Sequence, residues 1–389
     1  MNILYHFRTQ GTGAEGVHVA GLVRAFEAMG HTVTLSSPTG NDPRQTAGAN
    51  PFGGAKRGRR WVLLAQHCPG ILFEFLEIFY NVVALLRNWR IVRRERCAMI
   101  YERHAFFLFS TAFLARLRRL PLVIEVNELV GDERIRKQPV LSWVARLCDR
   151  YTFRRAQLIV VVSPHLKRRI CEMGVDPDKI LVLPNGVRRE DYEKSEDRDA
   201  LRARYGIGSE RIVVGFVGWF VHWHFLNELV KACAALAGSH PEVHLMLVGD
   251  GPLREELESL AVAQGLEGRF LITGAVPHES IPAHIAAMDV GVIPHSNEYR
   301  SPIKLFEYMG RGIAVLAPDT EPIRMAVENR RNGLLFANGD RGSLQATLAE
   351  LLADPALRSE LGSQARRDVL EKHTWVNNAT AVLKAIGLA

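Results

Sequence analysis

A lysine and a glutamate lie three residues apart at a helix start in SPIKLFEYMG, residues 301–310. Pro302 suits the first turn of a helix, and the helix N-terminus after Ser301 attracts an anion. Lys304 places a cation beside that end, and Glu307 follows about one turn later on a similar face. A carboxylate there can accept hydrogen bonds from the two hydroxyls of a ribose. The segment therefore predicts a site for a nucleoside diphosphate, with a simple Lys–Glu helix pair as the alternative.

A second motif with phosphate chemistry opens the chain. Gly11, Gly13 and Gly16 form the pattern G-x-G-x-x-G between the strand-like run NILYHF and a helical run that ends at Gly30. A dinucleotide site of this type needs an acidic residue at the end of the second strand, but the strand HTVTLSSP ends without one. The sequence therefore disfavours NAD. The glycines still allow backbone N–H groups to approach an oxyanion, and a tight turn beside a closely packed helix is the alternative.

Strand-like and helical segments alternate along the chain. Continuous apolar runs rich in Val and Ile favour parallel strands covered on both faces, and the alternating order favours doubly wound sheets. The charged segment over residues 188–207 predicts a linker or an exposed helix. We therefore predict two Rossmann-like domains, residues 1–187 and 208–365, with a C-terminal helix over 370–389 that packs back on the first. Residues 38–60, rich in Gly, Pro, Asn and Arg, are expected to form a long loop.

Positive charge is concentrated in the first half of the chain. Residues 1–190 contain 29 Lys and Arg against 16 Asp and Glu, whereas the remainder contains 20 against 26. A basic half favours an anionic partner. The chain shows no signature of an RNA- or DNA-binding fold, so nucleic acid is not expected. An anionic membrane surface is the other candidate.

The segment over residues 73–96 bears on the membrane candidate, because its aromatic residues are followed by clustered arginines. Apolar helical stripes usually lie in the core, so the favoured interpretation is a core helix with a solvated basic end, and contact with an anionic membrane is the second. Residues 71–86 are interrupted by Glu74 and Glu77 and are fewer than the roughly 20 apolar residues of a membrane span. With no basic leader and no CxxC spacing, we expect a cytoplasmic protein, soluble or peripheral at the inner membrane face.

The motifs, taken in order, resemble those of the retaining glycosyltransferases of family four, which have the GT-B fold. The resemblance covers nearly the full length and rests on the Gly-rich first turn, YER, PLVIEVN, VVVSP, LPNGV, GFVG, LVGDGP, ITGAVPHESIP, MDVGVIP and SPIKLFEYMGRGIAVLA. It implies an α/β architecture of two Rossmann-like doubly wound parallel-sheet domains facing across a cleft. It also implies a nucleotide diphosphate sugar as donor, UDP- or GDP-linked, a hydroxyl acceptor on the first domain, and no metal or other cofactor.

The resemblance assigns most donor contacts to the second domain. Glu307 would hold the ribose hydroxyls, and Val276 would lie near the base. Backbone atoms would approach the phosphates and the sugar at Gly13, Gly218, Ser301, Pro302, Ile303 and Lys304. Acceptor contacts are expected within residues 38–70. The attack would come from the front face, with the leaving phosphate acting as base, so no enzyme nucleophile would be required.

The sequence departs from the family at charged positions. Tyr299 stands where the family has a glutamate, and Trp219 and His224 stand where its diphosphate-binding arginine and lysine lie. A leaving diphosphate needs positive charge in a dry site. The candidate sources of that charge in this chain are Lys304, Arg300 and His224, which can be protonated. His222 and His224 are not expected to bind a metal, because no third ligand is evident.

Two residues of the first domain complete the candidate catalytic set. Asn127, in EVN, stands where most of the family has a histidine, and His104 follows YER. The leading hypothesis is retaining sugar transfer in cell-surface polysaccharide or glycolipid synthesis, with an acceptor that could be lipid-linked. A sugar-nucleotide epimerase on the same fold is one alternative. A non-catalytic nucleotide-sugar-binding partner in a polysaccharide assembly complex is another.

Overall fold

The computed structural model describes residues 1–9, 11, 13–46, 70–132, 138–194 and 196–388. The chain divides into two compact units. Unit 1 contains Met1–Pro184 and Trp375–Ala389, and unit 2 contains Asn185–Thr374.

Unit 1 is a parallel six-stranded sheet covered by helices, with strand order β2-β1-β3-β4-β5-β6. Its strands are β1 (Asn2–His6), β2 (Thr32–Ser36), β3 (Met99–Arg103), β4 (Leu122–Val126), β5 (Leu158–Val161) and β6 (Ile180–Val182). Its helices up to residue 184 are α1 (Gly13–Ala28), α2 (Pro43–Thr46), α3 (Gly70–Arg94), α4 (Ser110–Arg118), α5 (Ser142–Arg155) and α6 (Pro164–Glu172). Every residue of β3, β4 and β5 is buried, as expected for parallel strands with helices on both faces.

Unit 2 repeats this architecture with strand order β12-β11-β10-β7-β8-β9, again parallel. Its strands are β7 (Ile212–Val217), β8 (Val243–Val248), β9 (Phe270–Ile272), β10 (Val290–Val292), β11 (Ala314–Pro318) and β12 (Leu334–Phe336). Its helices are α7 (Glu190–Glu193), α8 (Arg198–Arg204), α9 (Leu226–Leu236), α10 (Arg254–Ala263), α11 (Ile281–Ala286), α12 (Ile303–Arg311), α13 (Glu321–Arg324), α14 (Arg341–Ala353) and α15 (Pro355–Lys372). The doubly wound α/β class predicted from the sequence is confirmed.

The last helix, α16 (Trp375–Ala385), belongs to unit 1. Its Trp375 indole lies so close to Gly21 of α1 that a Cβ atom at Gly21 would overlap the ring. The His18 ring meets the same indole edge-on, with ring centroids 4.8 Å apart. Val382 and Leu383 join the hydrophobic core of unit 1. Gly21, which lies outside the G-x-G-x-x-G motif, therefore admits the neighbouring helix α16.

The charged segment over residues 188–207 belongs to unit 2 and contains the helices α7 and α8, many of whose residues are exposed. Of the two predicted alternatives, the structure therefore favours the exposed helix over the linker. Arg202 is 2 % exposed. Its guanidinium donates to the Asp289 carboxylate at 2.7 Å and to the Ala287 carbonyl oxygen at 2.9 Å. Tyr192 is also buried. These long-range partners, not the local charge pattern, decide where the segment lies.

Helix α3 buries polar residues and exposes an apolar side, contrary to the favoured prediction. Its buried residues include Glu74, Asn81 and Asn88, whereas seven of its large apolar side chains are exposed. The interpretation as a core helix is therefore wrong. None of the described helices is long and apolar enough to cross a membrane. Of the loop predicted over residues 38–60, positions 43–46 form α2; positions 47–60, and the expected acceptor segment up to residue 69, lie outside the described residues.

Candidate functional site

Two glycine-rich turns follow the neighbouring parallel strands β7 and β8. Gly218 and Gly249 have φ angles of +146° and +138°, where a residue with a Cβ atom is strained. A Cβ atom on Gly249 would overlap the carbonyl oxygen of Gly218. The Gly218 N–H donates to the Val248 carbonyl oxygen at 2.9 Å. The turns at the two strand ends are therefore in direct backbone contact, which a side chain at Gly249 would disrupt.

Lys304 extends from the first turn of α12 to these strand ends. Its ammonium nitrogen lies 3.7 Å from the centroid of the Phe216 ring, and a Cβ atom on Gly218 would be 2.8 Å from it. The nitrogen is buried and has no hydrogen-bond partner among the described residues. Burial lowers the pKa of Lys304 to about 7, against the opposing effect of Glu307. An anion at this position would supply the partner that the ammonium lacks.

Glu307 lies one turn further along the same helix and is buried. Burial raises the pKa of its carboxyl group, and the nearby His278 and Lys304 moderate the increase. The next residue fixes the helix in place, because the Val217 N–H donates to the Tyr308 hydroxyl at 2.9 Å. A Cβ atom on Gly291 would lie 2.6 Å from the Tyr308 ring. Helix α12 is thus held against the ends of the strands, with Lys304 and Glu307 both directed to the same region.

The turn before α12 is held by a residue to which the sequence assigned no role. The Asn185 backbone N–H donates to Ser301 Oγ at 3.0 Å, and the Asn185 side-chain amide donates to the Ser301 carbonyl oxygen at 2.5 Å. Asn185 lies in the LPNGV motif. Its place in that motif was the signal in the sequence that could have marked it as a site residue. Pro302 and Ile303 follow directly at the helix start. Their backbone therefore has a defined position beside Lys304.

His224 is placed at the site, among groups that affect its charge state. Its ring lies 5.3 Å from the Phe216 ring, centroid to centroid. Burial lowers the pKa of His224 to about 2, and the positive charges of Lys304 and Arg300 act in the same direction. These surroundings disfavour a charged imidazole in the ligand-free protein. A charged His224 beside a bound diphosphate stays a prediction.

Arg300 remains the second cation. Its guanidinium lies 5.6 Å from the Trp223 ring centroid and 5.1 Å from that of Tyr299. Val276 is half-buried and packs on the core that includes α12. The described residues contain no group of three or more His, Cys, Asp or Glu that could hold a metal ion. In unit 2, the structure thus brings Lys304 and the start of α12 beside Gly218, at the carboxyl end of β7.

Asn127 is the predicted residue of unit 1 whose side chain contacts a buried carboxylate, that of Glu125. Glu125 of β4 bonds to the Arg103 guanidinium, to His18 at 2.8 Å and to the Asn127 amide at 2.7 Å. These groups outweigh burial and hold the pKa of Glu125 far below its usual value. Gly13 begins the helix that carries His18 and has a φ of +60°. Asn127 is thus positioned by an extensive network that the sequence did not reveal.

His104 is turned into the interior of unit 1. Its Nε2 lies 2.8 Å from the Asp149 carboxylate of α5, and its side chain is 3 % exposed. Phe106 and Phe153 flank the ring. These contacts fix the ring in the core; a catalytic role for His104 stays a prediction.

Each unit is a doubly wound parallel sheet, and unit 2 places a buried lysine and glutamate beside two glycine turns. This architecture is the GT-B fold of glycosyltransferases. The Anabaena protein HepE has the same fold: its crystal structures in complex with UDP and with UDP-glucose match at TM-scores of 0.74 and 0.71 and 19 % identity. These matches cover 100 % and 99 % of this chain and 100 % of that chain.

Sequence comparison identifies the family. Residues 197–368 match the profile of glycosyl transferases group 1, and residues 15–191 match that of glycosyltransferase family 4. The chain belongs to this family, as the sequence motifs predicted.

Two relatives come from Streptomyces kanamyceticus. An alpha-D-kanosaminyltransferase is 25 % identical over 295 residues, which are 73 % of this chain and 76 % of that enzyme. A 2-deoxystreptamine glucosyltransferase is 31 % identical over 245 residues, 62 % of this chain and 61 % of that enzyme. The chain thus spans about three fifths of the second relative.

Proposed function

We propose that the chain transfers a sugar, with retention of anomeric configuration, from a nucleotide diphosphate sugar to a hydroxyl acceptor. The observation that carries this proposal is the buried Lys304 ammonium, which has no hydrogen-bond partner among the described residues and lies one helical turn from the buried Glu307 carboxylate. A buried cation is costly unless a ligand supplies the opposite charge. A diphosphate supplies that negative charge, and the hydroxyls of a ribose can donate hydrogen bonds to the Glu307 carboxylate.

The reaction needs charge and orientation rather than an enzyme nucleophile. The bond between the anomeric carbon and the diphosphate oxygen breaks as the bond to the acceptor oxygen forms on the same face. The acceptor proton passes to the leaving phosphate. Lys304 stabilises the negative charge that develops on the diphosphate, with Arg300 as the second cation. The backbone at Gly218 and Ile303 and the Glu307 carboxylate hold the donor in a reactive position. In this proposal no metal ion or other cofactor takes part.

UDP is the first nucleotide to test, because HepE is crystallised with UDP and UDP-glucose. A thermal-shift screen of UDP, GDP and ADP and their sugars identifies the donor, since a ligand that binds only the folded protein raises its stability. The names of the Streptomyces relatives describe transfer of kanosamine and transfer of glucose to 2-deoxystreptamine. An acceptor panel should therefore contain amino-cyclitols as well as lipid-linked saccharides.

Substitution of the two central residues tests the site. Lys304→Ala and Glu307→Ala should each lower transfer by about 100-fold or more, the effect typical of removing a preorganised charge. Glu256→Ala is the matched control, because Glu256 is exposed on α10 and should leave transfer within about twofold. Near-wild-type turnover of both alanine variants would refute the proposed site.

A second candidate is nucleotide-sugar binding without turnover, as in a partner of a polysaccharide assembly complex. The surroundings of His224 favour it, because burial and the charges of Lys304 and Arg300 lower the pKa of the imidazole that stands where the family has a lysine. Binding of a nucleotide sugar with no transfer, hydrolysis or epimerisation across the acceptor panel would support this candidate. Epimerisation of the donor without acceptor would instead support the epimerase alternative.

We also propose that the acceptor is lipid-linked and that the protein acts in cell-surface glycan synthesis at the inner face of the membrane. The excess of basic residues in the first half of the chain supports this location. Transfer to an acceptor in vesicles, compared with the same acceptor in detergent, measures the contribution of the membrane.

A further inference from the structure

An apolar stripe runs along the outward face of helix α3. Each of its side chains is 45–62 % exposed, and they recur at spacings of one, three and four residues, which place them on one side of a helix. The stripe consists of Ile71, Leu72, Phe75, Phe79, Val82, Val83 and Leu86. At 1.5 Å per residue it is about 22 Å long. Single exposed apolar residues are common on proteins, but a continuous stripe of this length marks an interaction surface.

The polar side of the same helix explains why the stripe faces outward. Glu74 accepts hydrogen bonds from the backbone N–H groups of Val140 and Leu141, at 2.6 and 2.7 Å. Asn81 donates to the Phe107 carbonyl oxygen at 2.8 Å. Rotation of the helix to bury the stripe would leave these buried polar groups without partners, at a large cost in free energy. The orientation is therefore fixed by the fold.

Asn81 also accepts hydrogen bonds from the N–H groups of Phe109 and Ser110, at 2.8 and 2.9 Å. Further along, Asn88 accepts a hydrogen bond from the Ser36 hydroxyl at 2.5 Å. The polar residues of α3 thus contact unit 1 along most of the helix.

The charges around the stripe favour an anionic partner. Glu74 faces inward, and Glu77 pairs with Arg8 at 2.9 Å, so neither acid is left facing outward with the stripe. The exposed side chains that follow the stripe along the chain are cationic: Arg90, Arg93, Arg94 and Arg96. Glu95 offsets one of them, because it pairs with Arg94 at 2.7 Å. An apolar stripe that ends in arginines matches the arrangement of an anionic bilayer, which offers acyl chains below a layer of negative headgroups.

The apolar surface continues onto the start of α5. Val140 and Trp143 are 62 % and 64 % exposed. A Cβ atom on Gly70 would lie 3.6 Å from a Val140 methyl group, so the two segments adjoin. Tryptophan is enriched where a protein meets the membrane interface, because its large ring has an apolar body and a polar N–H. Leu147 adds another exposed side chain one turn further along α5.

We propose that the apolar stripe of α3, with Val140 and Trp143, inserts into the interface of an anionic bilayer while the arginines that follow it bind the lipid phosphates. This contact would hold the protein at the membrane location proposed above, so the inference rests on the proposed function. A helix of 25 residues lying in the interface buries its apolar face about 5–10 Å deep.

Vesicle co-sedimentation tests the proposal with the full-length protein. The wild type should bind phosphatidylcholine vesicles that contain phosphatidylglycerol, and it should bind pure phosphatidylcholine weakly. Arg90→Gln with Arg93→Gln should weaken the anionic binding by about 25-fold, since each basic residue contributes about fivefold near an anionic surface. Phe75→Asp with Phe79→Asp should abolish insertion. The matched control is Val262→Asp, at a 57 % exposed apolar residue of α10 in unit 2, which should bind as the wild type does.

Two further measurements identify the other outcomes. Thermal unfolding should be unchanged in the Phe75→Asp, Phe79→Asp variant, because both side chains are already exposed. Its binding of nucleotide sugar and its turnover of a water-soluble acceptor should also be unchanged, which separates failure of the membrane contact from failure of the proposed enzyme. Equal vesicle binding by this variant and the wild type would overturn the proposal. A dimer that dissociates in the variant, without vesicle binding, would also overturn it, because the stripe would then contact a second copy of the chain.

Discussion

Lys304 should make donor binding depend on pH in a direction that the structure specifies. Burial lowers the pKa of its ammonium to about 7 in the ligand-free protein. A bound diphosphate places negative charge beside the nitrogen and raises this pKa again. Below pH 7 the ammonium is already charged, and binding takes up little proton. Above pH 7 binding must add the proton, so affinity falls as pH rises.

The expected magnitude follows from the pKa. At pH 8 about one tenth of the free protein carries the charged lysine, so the affinity for a nucleotide sugar should be about tenfold lower than at pH 6. Binding at pH 8 should take up about 0.9 proton per site. A nucleotide sugar is the correct probe, because its phosphates do not titrate near neutral pH, unlike the terminal phosphate of a free nucleoside diphosphate.

Isothermal titration calorimetry in buffers of different ionisation enthalpy counts these protons directly. Lys304→Met should bind weakly with no proton uptake, and Lys304→Arg should remain charged and lose the slope above pH 7. Glu307→Gln should bind more weakly but keep the slope, which separates titration of the lysine from titration of the Glu307 carboxyl group. No proton uptake by the wild type at pH 8, or the same uptake in Lys304→Met, would refute the reasoning.

Two further predictions concern stability. Gly249→Ala forces a Cβ atom into the carbonyl oxygen of Gly218 at a φ of +138°, so it should lower the melting temperature and weaken nucleotide binding. The control is Gly268→Ala, at a φ of +70° with no atom within 4 Å of the added Cβ. It should lower stability by only about 1–2 kcal/mol and leave binding intact. Equal effects on the two melting temperatures would count against the close approach of the strand ends. Glu125→Gln should lower the free energy of unfolding at pH 7 by about 3 kcal/mol or more, because it leaves the buried Arg103 guanidinium without its counter-charge. The folded-state pKa of Glu125 is depressed, so the contribution of this carboxylate to stability is complete above the unfolded pKa of about 4.3 and is lost as pH falls below that value. Urea unfolding should therefore show that the variant loses less stability than the wild type between pH 7 and pH 3. Equal losses in the two proteins would contradict this assignment.

Local patterns in the sequence predicted the sheets and the central pair of the site. Runs of Val and Ile identify strands because a parallel strand is buried on both faces. Lys304 and Glu307 could be paired because they lie on one helix, three residues apart, where the backbone fixes their separation. The order of motifs then predicted the family. Each of these inferences depends on residues close together in the chain.

Features that depend on distant partners escaped prediction. The pKa of His224 is set by burial among groups that include Arg300, 76 positions further along the chain. Asn185 contacts Ser301 across 116 positions. The orientation of α3 depends on backbone N–H groups at Val140, which prefer Glu74 to solvent. A periodicity argument gives an amphipathic helix two faces, but only these partners decide which face is buried.

Unit 1 is assembled from two stretches of chain that leave the ribosome far apart in time. Between Pro184 and Trp375 lie the 190 residues of unit 2, Asn185–Thr374, which take roughly 10–40 s to synthesise at 5–20 residues per second. During that interval the face of α1 around Gly21 lacks the indole and the aliphatic side chains of α16 that cover it in the finished protein. Unit 2 is a continuous stretch of chain, so its fold needs no segment that is synthesised after Thr374. The half of the protein that is made first is therefore the last to complete its fold.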